Sequence, residues 1–305
     1  MNVYLPIAEV SVDVLLILGI GGGVGVLSGI FGVGGGFLIT PLLMFMGIPP
    51  AVAVATGTNQ IVGSSVSGFL AHWRRGSVDF PMGTMLLIGG VVGSTLGVGL
   101  FAWLQSLGQI DLVIKLSYVI MLGIIGSLMF VESVRTMMKT RNKGALKPTR
   151  LHQHHVLHGL PFKMRFRKSK LYMSALMPLG VGVLVGVLSA IMGVGGGFVM
   201  VPAMVYLLGM PTAVVVGTSL YQVVFVTANV TFFQSYLNQT VDIPLAVLLL
   251  LGGVVGAQFG TKLGAKLPGE QLRGLLAAMV LMVCGKMLFE LISTPADLYS
   301  FQVLP

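Results

Sequence analysis

The fold class that the sequence predicts is an all-α polytopic membrane protein made of two inverted-topology repeats of five transmembrane segments, each with a glycine-broken short helix. Three observations predict it. First, apolar residues make up 55% of the 305-residue chain and charged residues only 9%, with a mean hydropathy of +0.96, whereas soluble domains carry about 25% charge. Second, no charge occurs between Asp13 and His72 or between Lys170 and Asp242; windows of that length hold several spans each. Third, GVLSGIFGVGGGFLITP (25–41) recurs as GVLSAIMGVGGGFVMVP (186–202), and internal repetition fixes architecture before any other signal.

The unbroken apolar runs favour helices over a β-barrel, whose strands would alternate over about ten residues. Five segments are expected at 12–31, 36–48, 51–72, 80–104 and 112–131, and five more at 172–191, 197–209, 213–236, 244–264 and 272–292. The halves pair beyond the glycine motif. GIPPAVAVATGTNQ (47–60) matches GMPTAVVVGTSLYQ (209–222), and GGVVGSTLG (89–97) matches GGVVGAQFG (252–260). The predicted units are a first membrane repeat at 1–131, a basic connector at 132–171 and a second repeat at 172–305. The start, MNVYLPIAEVSVD, has neither a basic n-region nor a small-residue cleavage site, so no cleaved signal peptide is expected.

Charge placement orients the repeats. Eleven of the 18 Lys and Arg residues lie from Arg135 to Lys170, which puts the connector in the cytoplasm against anionic lipid headgroups and accounts for the net +9 without nucleic acid. Arg74 and Arg75 place the third-to-fourth connection inside, while 104–109 is neutral. In the second half the bias switches: 237–242 carries no base, and Lys262, Lys266 and Arg273 surround the fourth-to-fifth connection. Corresponding loops therefore face opposite sides, which requires five crossings per half with both termini outside. Were the short second segments to return to their starting side, the count would fall to eight with parallel repeats; the charge switch favours ten. The expected location is the inner (cytoplasmic) membrane.

A pair of glycine-broken apolar segments at matching places in two halves points to a transporter's binding site near the midplane. Neither glycine run ends in the G-K-[ST] of a nucleotide loop, so a nucleotide is not expected. Gly34, Gly35 and Gly36, with Gly195, Gly196 and Gly197, are read as unwound stretches whose following half-helices present N–H groups to an anion; the competing reading is tight helix packing. Thr56, Thr58, Asn59 and Gln60, matched by Thr218, Ser219, Tyr221 and Gln222, are polar groups in apolar segments that need partners. Asn59, Gln60, Tyr221 and Gln222 are the leading side chains; Ser64, Ser65 and Thr227 are weaker pore-lining candidates.

His72 beside Trp73 and Arg74 is a candidate proton relay, with an interfacial role favoured. Lys286 and Glu290, four apart, are expected to form a buried pair with a possible coupling role. His152, His154, His155 and His158 lack carboxylate or cysteine company, and a solvated loop is favoured over a metal site. Cys284 is alone, so no disulfide is available. No catalytic constellation, resident metal or cofactor is expected. Homodimerisation through the glycine-rich fourth spans is a partner expectation resting on composition.

GVGGGFLITPLL (32–43), PPAVAVATGTNQ (49–60), WRRGSVDF (73–80) and GGVVGSTLG, with GVGGGFVMVP and PTAVVVGTSLYQ in the second half, resemble the TauE/SafE family of membrane transporters, also called the sulfite exporter family. The likeness covers both membrane halves. It implies a small anionic substrate (sulfite, sulfoacetate or a related organosulfonate), moved outward, and it maps the family's glycine motifs onto 32–36 and 193–197. The reading is a non-enzymatic secondary transporter working by alternating access. The alternatives are a channel or permease for another small solute and a non-transporting membrane scaffold.

Overall fold

The computed structural model describes residues 2–31, 35–141, 162–264 and 269–293. All ten expected segments are helices: α1 (Val14–Phe31), α2 (Gly36–Phe45), α3 (Pro50–Arg74), α4 (Phe80–Ser106), α5 (Ile110–Arg141), α6 (Leu176–Met192), α7 (Gly197–Pro202), α8 (Thr212–Phe233), α9 (Ile243–Gly264) and α10 (Gly269–Ile292). Among the described residues, five helices are long and apolar enough to cross a membrane: α4, α5, α8, α9 and α10. α3 is as long, 25 residues or about 37 Å, but its polar cluster lowers its hydropathy. The molecule is thus an all-α polytopic membrane protein, with two small additions.

Those additions are β-hairpins ahead of each half, unanticipated from the sequence. β1 (Asn2–Leu5) pairs antiparallel with β2 (Val10–Asp13), and β3 (Lys163–Phe166) with β4 (Leu171–Ser174). Glu9 and Lys170 hold the same positive φ of 54° in the two turns. β3 lies inside the expected connector, β4 straddles its end at 171, and α5 runs on to Arg141. The four connector histidines and Gly34 fall outside the described residues.

Both π-helical turns occur where the second half carries one more residue than the first. Pro41 stands six residues before Gly47, but Pro202 stands seven before Gly209, and α7 continues as a π turn at Ala203–Leu207. His72 is four residues from Gly76, but its counterpart Gln234 is five from Gln239, and the π turn is Gln234–Asn238. A π turn absorbs a single inserted residue without shifting the helix that follows.

Packing exchanges helices between halves. α1 lies along α9, and α4 along α6. Their glycines bring backbones together: a Cβ on Gly252 would fall 2.6 Å from the Leu18 carbonyl oxygen, and one on Gly186 would fall 2.8 Å from the Ser94 nitrogen. Cβ atoms on Gly256 and Gly93 would collide with the Gly22 and Val183 carbonyls. These glycine faces are occupied within the monomer, so the compositional basis for a homodimer through α4 and α9 falls away. α3 and α8 run antiparallel through the centre, with Thr58 near the start of one bonded to Thr231 near the end of the other at 3.2 Å. α5 and α10 pair outside them.

Two buried carboxylates fix the ends. Asp79 caps α4 through Met82 N–H (3.4 Å), accepts Ser169 N–H (2.9 Å) and O–H (2.5 Å) from the second hairpin, and gives its own N–H to Thr218 Oγ1 (3.0 Å). Asp242 repeats the plan: it caps α9 through Leu245 N–H (3.2 Å), accepts Ile7 N–H (3.0 Å) from the first hairpin, and gives its N–H to Thr56 Oγ1 (3.0 Å). Since Thr56 is in the second turn of α3 and Asp79 follows its last turn, the two clusters occupy opposite ends of the molecule. Each Asp-X-Pro (Asp79-Phe80-Pro81, Asp242-Ile243-Pro244) is a helix-start signal.

Gly93→Ala and Gly256→Ala are expected to destabilise the protein by about 1–3 kcal/mol, because the colliding atoms are backbone and cannot rotate away. Gly99→Ala, on the same helix as Gly93 but with nothing within 4 Å of the added carbon, should leave stability unchanged or slightly raised. Thermal unfolding of the three variants in detergent checks this.

Candidate functional site: the paired glycine breaks

Both breaks use the left-handed backbone that glycine adopts without cost. Gly35 precedes α2 at φ 70°, and Gly193, Gly195 and Gly196 follow one another at 66°, 71° and 74°. The breaks meet between α3 and α8. A Cβ on Gly36 would lie 2.6 Å from the Val194 carbonyl and would collide with Ile61. One on Gly195 would lie 2.6 Å from Ile61 Cγ2 and 2.9 Å from Thr227 Cγ2. Just beyond, the rings of Phe37 and Phe198 stack at 4.6 Å, joining the first turns of α2 and α7. Gly35, Gly36 and Gly195–Gly197 are all buried.

The polar candidates divide into three groups. Four hydroxyls are spent on structure: Thr56 and Thr218 on the Asp242 and Asp79 N–H groups, Thr58 on the Ala55 carbonyl (2.6 Å), and Ser219 on that of Val216 (2.9 Å). Tyr221 turns away from the breaks. Its ring joins Phe69 (5.5 Å), Phe80 (5.5 Å) and Phe225 (5.4 Å) in an aromatic cluster at the far end of α3.

The amides form the third group. Gln60 donates from Nε2 to the Gly21 carbonyl at 3.1 Å, while its Oε1 is buried without a partner. Neither amide atom of Gln222 has a partner, although the residue is fully buried. Asn59 Nδ2 is likewise buried and unpartnered. Gly253 and Gly90 make room for the two glutamines; a Cβ on either would lie 2.6 Å from a glutamine Nε2. Orphaned polar atoms in an apolar interior each cost about 1–3 kcal/mol.

Sequence reasoning passed over Ser28 and Ser189, although both stand in the repeated GVLS. Ser28 packs under Gly35, and Ser189, whose Oγ is buried and unpartnered, lies under Gly196. Ser65 Oγ and Thr40 Oγ1 are further buried orphans, whereas Ser64 and Thr227 bond the carbonyls of Ile61 and Val223 in their own helices. Their signal was a hydroxyl at helical spacing from a glycine cap.

The coupling candidates lie elsewhere. His72 contacts Ser77 Oγ through Nδ1 at 3.0 Å in the last turn of α3. Lys286 and Glu290 are 3.9 Å apart but 54% and 42% exposed, which corrects the expected burial. Lys286 Nζ instead sits 3.7 Å over the ring of Phe45, at the end of α2. No cluster of metal-ligating side chains occurs among the described residues.

The bundle, with five helices long and apolar enough to cross a membrane among the described residues, defines a polytopic membrane protein, and the comparisons with known proteins make it a transporter. Residues 17–287 match the family described as Sulfite exporter TauE/SafE; the chain belongs to that family, whose members are transporters rather than enzymes. It is 28% identical over 261 residues to the Bacillus subtilis "Probable membrane transporter protein YjnA", covering 85% of this chain and 93% of the relative. It is 26% identical over 271 residues to "Probable membrane transporter protein MJ0441" of Methanocaldococcus jannaschii, covering 84% and 88%. A shorter likeness, 44% over 52 residues, links it to the Arabidopsis thaliana "Sulfite exporter TauE/SafE family protein 2", at 17% of this chain and 11% of that one. No solved structure matches the chain.

Because the Tyr221 ring packs while no hydrogen bond is recorded for its hydroxyl, Tyr221→Phe should retain wild-type thermal stability and wild-type transport. Tyr221→Ala opens the aromatic cluster and should cost about 3–5 kcal/mol, as large aromatic truncations do; unfolding midpoints of the two variants test the contrast.

Proposed function

We propose that this protein is a secondary transporter exporting a small sulfur-containing anion, such as sulfite, sulfoacetate or a related organosulfonate, across the cytoplasmic membrane by alternating access. The observation that carries the reading is the convergence of the two glycine breaks, with Gln222, Asn59 and Ser189 of the helices packed around them presenting buried, unpartnered polar atoms. Neutral amide and hydroxyl donors suit an oxyanion. They satisfy its lone pairs without the desolvation cost of a buried cation, and they release it readily. The names carried by the family and by the Arabidopsis relative favour sulfite among such anions.

Inverted repeats are the second part of the proposal. α1 starts beside Asp242, and α2 leads into α3, whose Thr56 binds the same residue. The α1–α2 pair therefore returns to the end from which it set out, and α3, α4 and α5 make three further passages. With α1 and α2 counted together, as two crossings or as none, that total is odd. The basic loops at 74–75, 135–170 and 262–273 then share one side, the cytoplasm by the positive-inside rule. Both termini lie on the other.

Flux of sulfite, sulfoacetate, taurine, sulfate or thiosulfate across proteoliposome membranes, with and without a proton gradient, tests the function. Gly35→Ala and Gly196→Ala, strained at positive φ and crowded by Ser28 and Val185, should abolish flux while the protein still reaches the membrane. Gln222→Ala should raise KM about tenfold or more, the worth of one hydrogen bond to a charged group, and Gly90→Ala should reproduce that effect by displacing the Gln222 amide. Wild-type flux in all four variants would refute the site. Reporter tags after Pro305 and in the 237–242 loop should both be extracytoplasmic; a cytoplasmic tag at either place would refute the inversion.

A further inference from the structure

We infer that the two bodies that move against each other in the transport cycle are not the two halves of the sequence. One body is the contiguous stretch 80–238, comprising α4 and α5, the second hairpin and α6–α8. The other comprises the first hairpin and α1–α3 together with α9 and α10. The inference rests on the alternating-access reading above and adds to it which helices move together.

Most of the interhelical hydrogen bonds and both long backbone seams fall along this division, while single backbone approaches cross it where a Cβ on Gly193 would lie 2.6 Å from the Val54 carbonyl oxygen and one on Gly36 2.6 Å from that of Val194. Within the first body, α4 and α6 touch backbone to backbone through Gly93 and Gly186, Asn229 of α8 bonds Ser94 (2.9 Å) and Thr95 (3.1 Å) of α4, and the Tyr118 hydroxyl of α5 bonds the Met192 carbonyl of α6 (2.6 Å). Glu132 of α5 accepts from the hydroxyl of Tyr206 beyond α7. Within the second, α1 and α9 meet through Gly22 and Gly256, Gln60 of α3 bonds Gly21 of α1, and Lys286 of α10 covers Phe45 of α2. A glycine-mediated backbone seam has no side chain that could rotate to let it slide, so each seam moves as a unit.

Between the bodies the contacts are of another kind. α5 meets α10 and α3 meets α8 mainly through side chains, as with Gly126 against Val280 and Leu281, Gly68 against Leu220, and Phe69 against Tyr221. The polar contacts between helices of the two bodies include the Thr231–Thr58 bond and a weak Cys284 Sγ to Val119 carbonyl contact at 3.4 Å. The glycine breaks sit on the same boundary, one from each body, at Gly36 and Val194. The chain passes between bodies only at 75–79 and 239–242, at opposite ends of the molecule. There Asp79 is clamped by Thr218, Met82 and Ser169 of the first body, and Asp242 by Thr56, Leu245 and Ile7 of the second. Each carboxylate anchors an emerging helix to the body it enters, and the adjoining loop, with Gly76 or Gln239 at positive φ and tied to the first body by Lys168 Nζ on the Gly76 carbonyl (2.9 Å) or Thr240 Oγ1 on Gln234 Oε1 (3.4 Å), is the pivot.

The native cysteine provides the test. An added carbon at Gly123 of α5 would lie 3.7 Å from Cys284 Sγ of α10, so the Gly123→Cys variant, oxidised with copper phenanthroline, forms a bridge across the boundary. Flux should fall at least tenfold on oxidation and recover with reductant. A Ser94→Cys/Asn229→Cys/Cys284→Ser variant bridges α4 and α8 inside one body and should keep its flux when oxidised. Loss of flux in both bridged forms, or in neither, overturns the division. A readout that needs no substrate separates this from a wrong substrate assignment. Spin labels at Gln105 and Leu237, both in the first body, should give one narrow distance distribution; labels at Gln105 and Ile292, across the boundary, should give a broad or double one. Equal widths for the two pairs would overturn the division even if no anion tested is carried.

Discussion

Backbone contact along the α1–α9 and α4–α6 seams is the constraint on which the rest of the structure depends. In lipid there is little hydrophobic drive between helices, so association relies on close van der Waals approach, and small residues permit it. Here the approach is near enough that carbonyl oxygens occupy the places of absent Cβ atoms at Gly93, Gly252 and Gly256. Because each seam joins the first helix of one half to the fourth of the other, neither half possesses a core of its own. The repeat is a unit of sequence, but the packed unit is assembled from both repeats.

That interlocking explains why both breaks end up in one place. With α1 fixed to α9 and α6 fixed to α4, the glycines that open α2 and α7 are delivered to the α3–α8 pair. They close on each other around Ile61, Val194 and Thr227. The short α2 spans only about 15 Å, and the Phe37–Phe198 stack meets it where a longer helix would have continued. Non-helical backbone at this depth is tolerable only because protein, not lipid, surrounds it.

The ten helices, the pairing of the halves and the glycine breaks were legible in the sequence because each leaves a local or repeated signature: uncharged runs, matched motifs, and glycine clusters followed by an apolar run and proline. The hairpins were not legible. Their strands are four residues long, and two-stranded hairpins have little stability of their own; what holds them is a buried aspartate some 90 or 235 residues away. The polar cluster was legible as a cluster but not in its allocation. Thr56 and Thr218 read as binding residues, yet the same hydroxyls end the search of two loop N–H groups for acceptors. Tyr221 occupies the place equivalent to Gln60's neighbour Asn59, and only tertiary packing reveals that it faces aromatic rings.

What distinguishes the two glutamines is the last physical asymmetry of the site. Gln60 and Gln222 occupy matching positions, each fitted against a glycine of the neighbouring fourth-position helix, and yet only Gln60 finds a carbonyl to bind. The matched halves supply two equivalent amides, but the packing around them treats the two differently. One amide tied to the backbone is oriented in advance, which lowers the entropy lost on binding. The other, held buried with donor and acceptor both unmet, stores free energy that a hydrogen-bonding guest recovers on arrival. The imbalance also opposes overly tight capture, since the orphaned amide costs stability only while the site is empty. A transporter must bind and release in each cycle, and in the proposed site one committed and one uncommitted amide would serve both steps with neutral side chains.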